Sequence, residues 1–270
     1  MKKFRILLFG LLLIGMTLQA QKIYIRGGLG IAVSTAASNN YDYYTPDSSA
    51  TTATSHKGGI GTGLPFFLAA GYKFNDHFGV ELGIDYFYGF SLESKSVFGP
   101  DFNRDSKWHG QMLCIVPAFV MSLPLDKIKP YARIGLKLGV INNVIYQDHT
   151  VLTVESNTED TQSKSKDYGG IAIGAQAAVG TDFVLSKMLS LFGEIQMDGI
   201  SYSPKHGKYT EYIKNGTDQL GSMSVREKEW NYVKETEFSN STPADQPGEE
   251  ITRNFTFGNV GLVLGVKVNL

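Results

Sequence analysis

From Val260 to Leu270 the side chains alternate between two kinds. Val260, Leu262, Leu264, Val266, Val268 and Leu270 are apolar, whereas Gly261, Val263, Gly265, Lys267 and Asn269 between them are mostly small or polar. Successive side chains of a strand point to opposite faces, so this segment predicts a strand with one greasy face and one small or polar face. It ends on apolar Leu270, as a strand that closes a membrane barrel does.

Seven further segments carry the same signature. Residues 22–33 place Ile23, Ile25, Leu29, Ile31 and Val33 on one face. Residues 64–74 do so with Leu64, Phe66, Leu68, Ala70, Tyr72 and Phe74. The clearest is 78–90, with Phe78, Val80, Leu82, Ile84, Tyr86 and Tyr88 outward and Gly79, Glu81, Gly83, Asp85 and Phe87 inward. Segments 111–123, 131–141, 168–183 and 189–200 complete the set. Pro117 cannot donate to a ladder, so a bulge or local distortion is expected there. The connections alternate in length. Residues 75–77, 124–130 and 184–188 are short, whereas 34–63, 91–110, 142–167 and 201–254 are long. Short periplasmic turns facing long external loops are the asymmetry of an outer-membrane barrel. A soluble sandwich has no reason to sort its loops by end, nor to expose Phe, Leu and Ile on every strand. The expected fold is therefore all-β: an eight-stranded antiparallel transmembrane β-barrel with long extracellular loops and short periplasmic turns.

Aromatic residues fit two interfacial belts. Tyr72, Phe74, Phe78 and Phe183 are expected at the short-turn end, and Tyr86, Tyr88, Phe90, Tyr202, Phe255 and Phe257 at the long-loop end. Residues 1–20 read as a cleaved secretory signal, with Lys2, Lys3 and Arg5 ahead of an apolar run and a small-residue site at Ala20. Residues 21–270 then form the barrel domain in the outer membrane of a Gram-negative bacterium. Without Lys2, Lys3 and Arg5 the chain holds 22 basic against 26 acidic residues, a net charge of −4, which excludes a basic nucleic-acid binder. The single cysteine, Cys114, excludes an intramolecular disulfide and reads as a small packing residue.

With these features the chain resembles the small outer-membrane barrels: the OmpA/OmpX-type eight-stranded barrels and the PorT-like porin family. The resemblance covers the whole mature chain and is architectural. Gly265, Val268 and Leu270 stand as in the insertion signal those families carry, which implies the barrel-assembly machinery and outer-membrane lipids as partners. Two positions depart from that signal: the chain ends on Leu270 where Phe is usual, and Val263 stands where a polar residue is usual.

Inward positions carry Arg26, Lys73, Arg133, Lys137 and Lys267 together with Glu81, Asp85, Asp182, Glu194 and Asp198. An eight-stranded barrel is only just wide enough to be filled by side chains, so these ten charges are expected to form a paired network. That network is either a plug that fixes register or the lining of a narrow pore. Near mid-height Asp85, Glu194 and Asp198 outnumber Lys137, so a pore would be weakly cation-preferring.

The loops offer a second set of candidates. Tyr41, Tyr43 and Tyr44 lie in the first, and Tyr209, Tyr212, Trp230, Tyr232 and Phe238 in the fourth. Tyrosine and tryptophan are enriched where surfaces bind, so a protein or glycan partner is one reading and a solvated loop the other. Residues 203–253 are expected to form a β-hairpin extension, with 209–214 pairing with 223–236 around a longer loop that contains Asn215-Gly216. Gly58-Gly59-Ile60-Gly61-Thr62-Gly63 lacks the Lys-Ser/Thr ending of a phosphate loop and reads as flexible. His109, His149 and His206 would be the candidates for a lipid A-modifying enzyme, but none has a nucleophile placed beside it, and His56 and His77 lie apart. Five dispersed histidines and one cysteine lack metal-ligand spacing, so no metal or cofactor is expected. Three functions remain open: a structural or interaction protein working through its external loops, a narrow solute pore, and a lipid-modifying enzyme. The first is favoured, with no catalytic site.

Overall fold

In the computed structural model, residues 22–36, 38–45, 51–236 and 243–270 are described. The expected signal segment and Phe238 lie outside them. The strands are β1 Ile23–Ser34, β2 Ser38–Thr45, β3 Thr52–Gly58, β4 Gly63–Lys73, β5 Phe78–Gly89, β6 Leu92–Phe98, β7 Phe102–Ser122, β8 Ile128–Val154 and β9 Asn157–Tyr168. They continue with β10 Ala172–Val184, β11 Leu189–Tyr202, β12 His206–Lys214, β13 Thr217–Asp218, β14 Glu229–Val233, β15 Gly248–Ile251, β16 Phe255–Thr256 and β17 Asn259–Asn269. One helical turn, α1 Val225–Lys228, precedes β14.

Eight of these strands make the wall. Antiparallel ladders run β1–β4, β4–β5, β5–β7, β7–β8, β8–β10, β10–β11 and β11–β17. The ring closes where β17 pairs back onto β1 over Tyr24↔Asn269 to Ser34↔Asn259. Closure leaves no unpaired edge, the condition for backbone to cross lipid. No helix among the described residues is long and apolar enough to cross a membrane, and the crossing is made by strands.

The alternation read from the sequence sets the two faces. Leu29, Ile171 and Leu264 are 63%, 70% and 69% exposed on the outer surface, and the residues beside them turn inward. A surface of such residues is stable against lipid and not against water. Pro117 lies on the outer face, and the β7–β8 ladder lapses at Val116 and Pro117 while keeping its register on either side. The register shift falls instead opposite Leu113 and Cys114, where Val140 is the extra residue in β8. Val140 and Ile141 are consequently both outward, and beyond them the inward set changes from odd to even numbers, bringing Asn142 and Val144 inside.

The short ends are tight turns. Asn75 Oδ1 accepts from the backbone N–H of His77 and Phe78, each at 2.9 Å, and Ser186 Oγ accepts from Met188 and Leu189. At the other end the strands outrun the barrel. β8 continues to Val154, turns through Glu155 and Ser156 at positive φ, and returns as β9. β7 extends out to Phe102 and pairs with both β6 and β8, and β2 pairs in parallel with β6, so all four long connections contribute to one raised sheet.

The fourth connection departs from expectation. Asn215 and Gly216, at φ 51° and 75°, form a two-residue turn directly between β12 and β13 rather than sitting inside a longer loop. The main partner of residues 209–214 is β9, from Tyr209↔Ser165 to Lys214↔Thr161. β14 meets β12 lower down, at residues 206–208, and pairs in parallel with β15. The long, charged arm of β9 offers more ladder positions than residues 223–236, part of which coil into α1.

The glycine run also departs from expectation. Gly59, Ile60 and Gly61 are buried, and a Cβ at Gly61 would run into the Gly258 carbonyl while one at Gly59 would meet Ser34. The absence of side chains lets this loop cross the barrel mouth against neighbouring backbone and lower Ile60 inside.

Candidate functional site

The barrel interior has three layers. Below the bilayer's outer edge, charged residues from six strands converge. Glu194 on β11 accepts from Arg26, Arg133 and Tyr131, each at 2.7 Å. Arg26 also faces Glu81 at 3.5 Å, and Glu81 accepts from the Tyr24 hydroxyl at 2.8 Å. Arg133 donates to Gln176 at 2.5 Å, Gln176 donates to Asp85 at 2.7 Å, and Lys137 joins Asp85 to Asp198 at 3.4 and 2.5 Å. Lys267 pairs with Asp182 at 2.6 Å near the periplasmic end. Nine of the ten lumen charges named from the sequence thus meet in ion pairs. The tenth, Lys73, is half-buried and makes no ion pair among the described residues. It sits 5.9 Å from the Tyr24 ring centroid.

Aromatic rings hold this network in place. The Arg26 guanidinium lies 4.0 Å from the Phe192 ring centroid and 5.2 Å from that of Phe67. Phe192 occupies space left by Gly28 and Gly265, so the glycine of the closing strand has a packing reason of its own. Val268 pairs with Ile25 and Leu189, and Leu270 is exposed at the barrel's end.

Above the charges lies an apolar layer that the sequence reading missed. Ile60, Phe87, Met112, Cys114, Val144 and Ile200 pack with Tyr202 and Phe257. Tyr202 and Phe257 are 0% and 1% exposed, so they do not belong to the lipid-facing belt expected of them. The alternation of β11 turns Tyr202 inward, and Phe257, two residues before β17, falls on the inward parity of that strand. Tyr86, Tyr88 and Phe90 do face out, and Phe255 stacks on Tyr202 at 6.4 Å. The Tyr202 hydroxyl donates to the carbonyls of Asn142 and Gly169, tying the layer to both β8 and the connection after β9.

Above this plug the extended strands enclose an open cleft of about 570 Å³. Its floor is Asp167, 9% exposed. Trp108 and Tyr146 contribute one side, and Tyr209, Trp230 and Tyr232 the other. Trp230 lies over Gly207, where any Cβ would strike the indole, and meets Tyr209 edge-on at 5.5 Å. Burial pushes the Asp167 carboxyl above the usual carboxylate range. Hydrogen bonding from the Tyr232 hydroxyl and the Trp230 indole N–H pulls the other way, so the three side chains form one cluster in which Asp167 Oδ1 and Trp230 Nε1 are closed to solvent. At the rim, Arg104 pairs with Asp148 at 2.6 Å. Burial alone would raise the Asp148 pKa, but hydrogen bonds from Arg104, Ser106 and Thr150 outweigh it and hold that carboxyl low.

Of the aromatic loop candidates, Tyr209, Trp230 and Tyr232 meet in this cleft and Tyr212 packs behind them on Tyr209 at 5.6 Å. Tyr43 and Tyr44 are exposed on β2, away from it, where Tyr43 stacks on Phe98 at 6.2 Å. Tyr41 pairs with Ser55 through its backbone, and its side chain lies outside the description. Asp167 was not picked out from the sequence, since nothing local separates it from the other charged residues of that loop.

The outer membrane protein beta-barrel domain family matches residues 6–221. The chain belongs to that family. It is an outer-membrane β-barrel of a Gram-negative cell, with its outward face against lipid. Among solved structures this barrel is similar to Neisserial surface protein A, at 11% identity, with 92% of this chain and 97% of that one covered and a TM-score of 0.36. It is also similar to Ail, the attachment invasion locus protein of Yersinia pestis, at 10% identity, 93% and 99% coverage and a TM-score of 0.34. The outer membrane protease OmpT from Escherichia coli matches at 8% identity, 95% and 100% coverage and a TM-score of 0.38. No curated protein matches the sequence. The histidines of this outer-membrane barrel stay apart: His149 pairs with Asp160 at 3.0 Å, His206 with Asn231 at 2.7 Å, and His109 stacks on Tyr88 at 5.9 Å. Among the described residues no three metal-ligating side chains gather.

Proposed function

We propose that this barrel is a non-conducting membrane scaffold that presents a binding surface on its extracellular strands. The observation that carries this reading is the double closure of the lumen. An apolar layer spanning Ile60, Met112 and Phe257 overlies a charge network in which opposite charges pair with one another. A hydrated ion would have to shed its water at the first layer and displace an ion pair at the second, and both steps are costly. The raised sheet with its cleft is what remains available to the outside. The residues 203–253 act as one arm of that extension, residues 1–20 as the export signal, and Gly265, Val268 and Leu270 as the segment offered to the barrel-assembly machinery.

Single-channel recording of the refolded protein in a planar bilayer tests the closure. Folded protein is expected to stay silent in high salt, and steady cation-selective openings altered by Asp85→Lys would overturn the scaffold reading in favour of a pore. Deleting 205–253 tests the surface. Ser203 and Asn254 are hydrogen-bonded to each other, so a short Gly-Ser link can rejoin the chain. Cells displaying the shortened barrel are expected to lose capture of extracellular material while the barrel stays folded, and undiminished capture removes the loops from the function.

A further inference from the structure

The periplasmic end takes no part in the reading of the external strands, and its charges are uneven. It carries Lys22, Lys73, Lys127, Lys129, Lys187 and Lys267 against Asp76, Asp126 and Asp182. Lys267 and Asp182 cancel as a pair at 2.6 Å. None of the other five lysines makes an ion pair among the described residues, and two aspartates are left to oppose them. Lysines of the extracellular strands do find partners. Lys95 lies 3.6 Å from Asp105, Lys107 2.8 Å from Glu93 and Lys214 2.9 Å from Glu159. The rim at the short turns is therefore a belt of surplus positive charge.

The turns themselves say what this belt meets. Two of them set a lysine among apolar side chains: Leu125-Asp126-Lys127-Ile128 and Leu185-Ser186-Lys187-Met188. Leu125, Ile128, Leu185 and Met188 are each half or more exposed. Phe74, Phe78 and Phe183 are exposed on the outer face just inside the same turns. A turn standing free in water gains nothing from such side chains, whereas one that dips into the boundary between head groups and acyl chains buries them. The lysine stems then lie along apolar surface while their ammonium groups reach the depth of the lipid phosphates.

Every phospholipid offers a phosphate at that depth, but head groups differ in what accompanies it. A zwitterionic head group brings an ammonium of its own, which the belt repels. An anionic head group brings none, so its phosphate meets the lysines unopposed. We propose that the periplasmic rim docks anionic phospholipid of the inner leaflet in preference to zwitterionic phospholipid, with Lys127 and Lys187 as the groups presented to the phosphates.

The test uses the full-length mature barrel in phosphatidylcholine vesicles that hold a trace of spin-labelled phosphatidylglycerol or spin-labelled phosphatidylcholine. The motionally restricted fraction of each label reports its relative affinity for the barrel surface. Phosphatidylglycerol is expected to be favoured about twofold or more at roughly 0.1 M sodium chloride. Most of that preference should vanish at roughly 1 M, where the screening length falls from about 10 Å to about 3 Å. Lys127→Gln combined with Lys187→Gln should remove at least half of it, since one lysine at a charged lipid surface changes local affinity about fivefold. Lys95→Gln combined with Lys214→Gln, at the opposite end, should leave it unchanged.

Equal restricted fractions for the two labels would overturn the proposal. A preference that survives the loss of Lys127 and Lys187, or that falls instead with Lys95 and Lys214, would remove it from this rim. A preference abolished by inorganic phosphate, but not by sodium chloride of equal ionic strength, would make the belt a site for a soluble anion and overturn the lipid.

Discussion

Replacing Glu194 by Gln puts the largest strain on the barrel for the smallest change in shape. Glu194 is the carboxylate on which Arg26, Arg133 and Tyr131 converge, each at 2.7 Å, and its side chain is 0% exposed. Gln keeps one carbonyl oxygen and turns the other into an NH₂ donor that must face a guanidinium. Two arginines then share Glu81 as their remaining carboxylate, at the longer separations of 3.5 and 3.7 Å. Hydrogen bonds to charged groups contribute roughly 1.5–3 kcal/mol each, and leaving one buried partner uncompensated costs about 3–5 kcal/mol. The three bonds share one acceptor and do not add, so a loss of about 3–5 kcal/mol is expected for Glu194→Gln. That is roughly two to four decades in the folding equilibrium. The assay is a urea titration of the refolded barrel, followed by circular dichroism and by the heat-sensitive shift in gel mobility, with a shared slope for the two proteins. Lys73→Met is the control, since Lys73 makes no ion pair, and should stay within about 0.5 kcal/mol. The double replacement Glu194→Gln with Arg26→Met removes the excess positive charge and should recover part of the loss. A Glu194→Gln protein within about 1 kcal/mol of the wild type would refute the reasoning, because water entering the lumen would then be screening the charges.

Three other perturbations follow from the same structure. Phe257→Ala removes a fully buried ring of the upper layer and should cost about 3–5 kcal/mol while admitting small ions, read as brief openings in the bilayer recording that the wild type lacks. Gly61→Val drives a side chain into the Gly258 backbone, and should cost about 1–3 kcal/mol and expose the first loop to protease, with unchanged cleavage counting against a packed Ile60. Asp148 has its pKa lowered in the folded protein, so it stabilises the raised sheet above its unfolded pKa, and that contribution is lost as pH falls through the lower folded value. Protection of residues 101–108 and 146–153 against hydrogen exchange, measured relative to the intrinsic rate at each pH, should therefore fall below about pH 4, and a fall of the same size in Asp148→Asn would refute the role of Asp148.

The wall of the barrel was legible because it obeys one rule repeated eight times. A period of two, a lipid face outside and a narrow polar interior leave little freedom once the strands are placed. The inward charges followed from the same rule, and their mutual pairing follows from the small bore of eight strands. Tyr202 and Phe257 show where a stronger-looking signal misled. Aromatic residues near the long loops suggested an interfacial belt, but the alternation of β11, and that of β17 carried two residues back, already pointed both rings inward. Position along a strand says how high a ring stands, while parity says which side it occupies. At Pro117 the expected distortion takes the form of a ladder that skips two pairings, and the register shift lies further along, where Val140 takes an extra place.

What the sequence left hidden lies in contacts between segments far apart along it. The glycine run reads as flexible by itself, yet its lack of side chains is what lets it lie against Gly258, almost two hundred positions later. Asp167 is one acid among many in a charged stretch until β9 carries it over the plug and Trp230 arrives from the fourth loop. The apolar layer of Tyr202, Phe257 and Met112 lies between Asp167 and the charge network below. Losing part of that layer brings water to the Lys137 end of the network, and a hydrated charge depends less on its partner. Phe257→Ala should for that reason lower the contribution of the Lys137–Asp198 pair to stability as well as admit ions. A Phe257→Ala barrel that conducts, yet loses as much stability on Lys137→Met as the wild type does, would show that the layer seals the lumen without keeping the network dry.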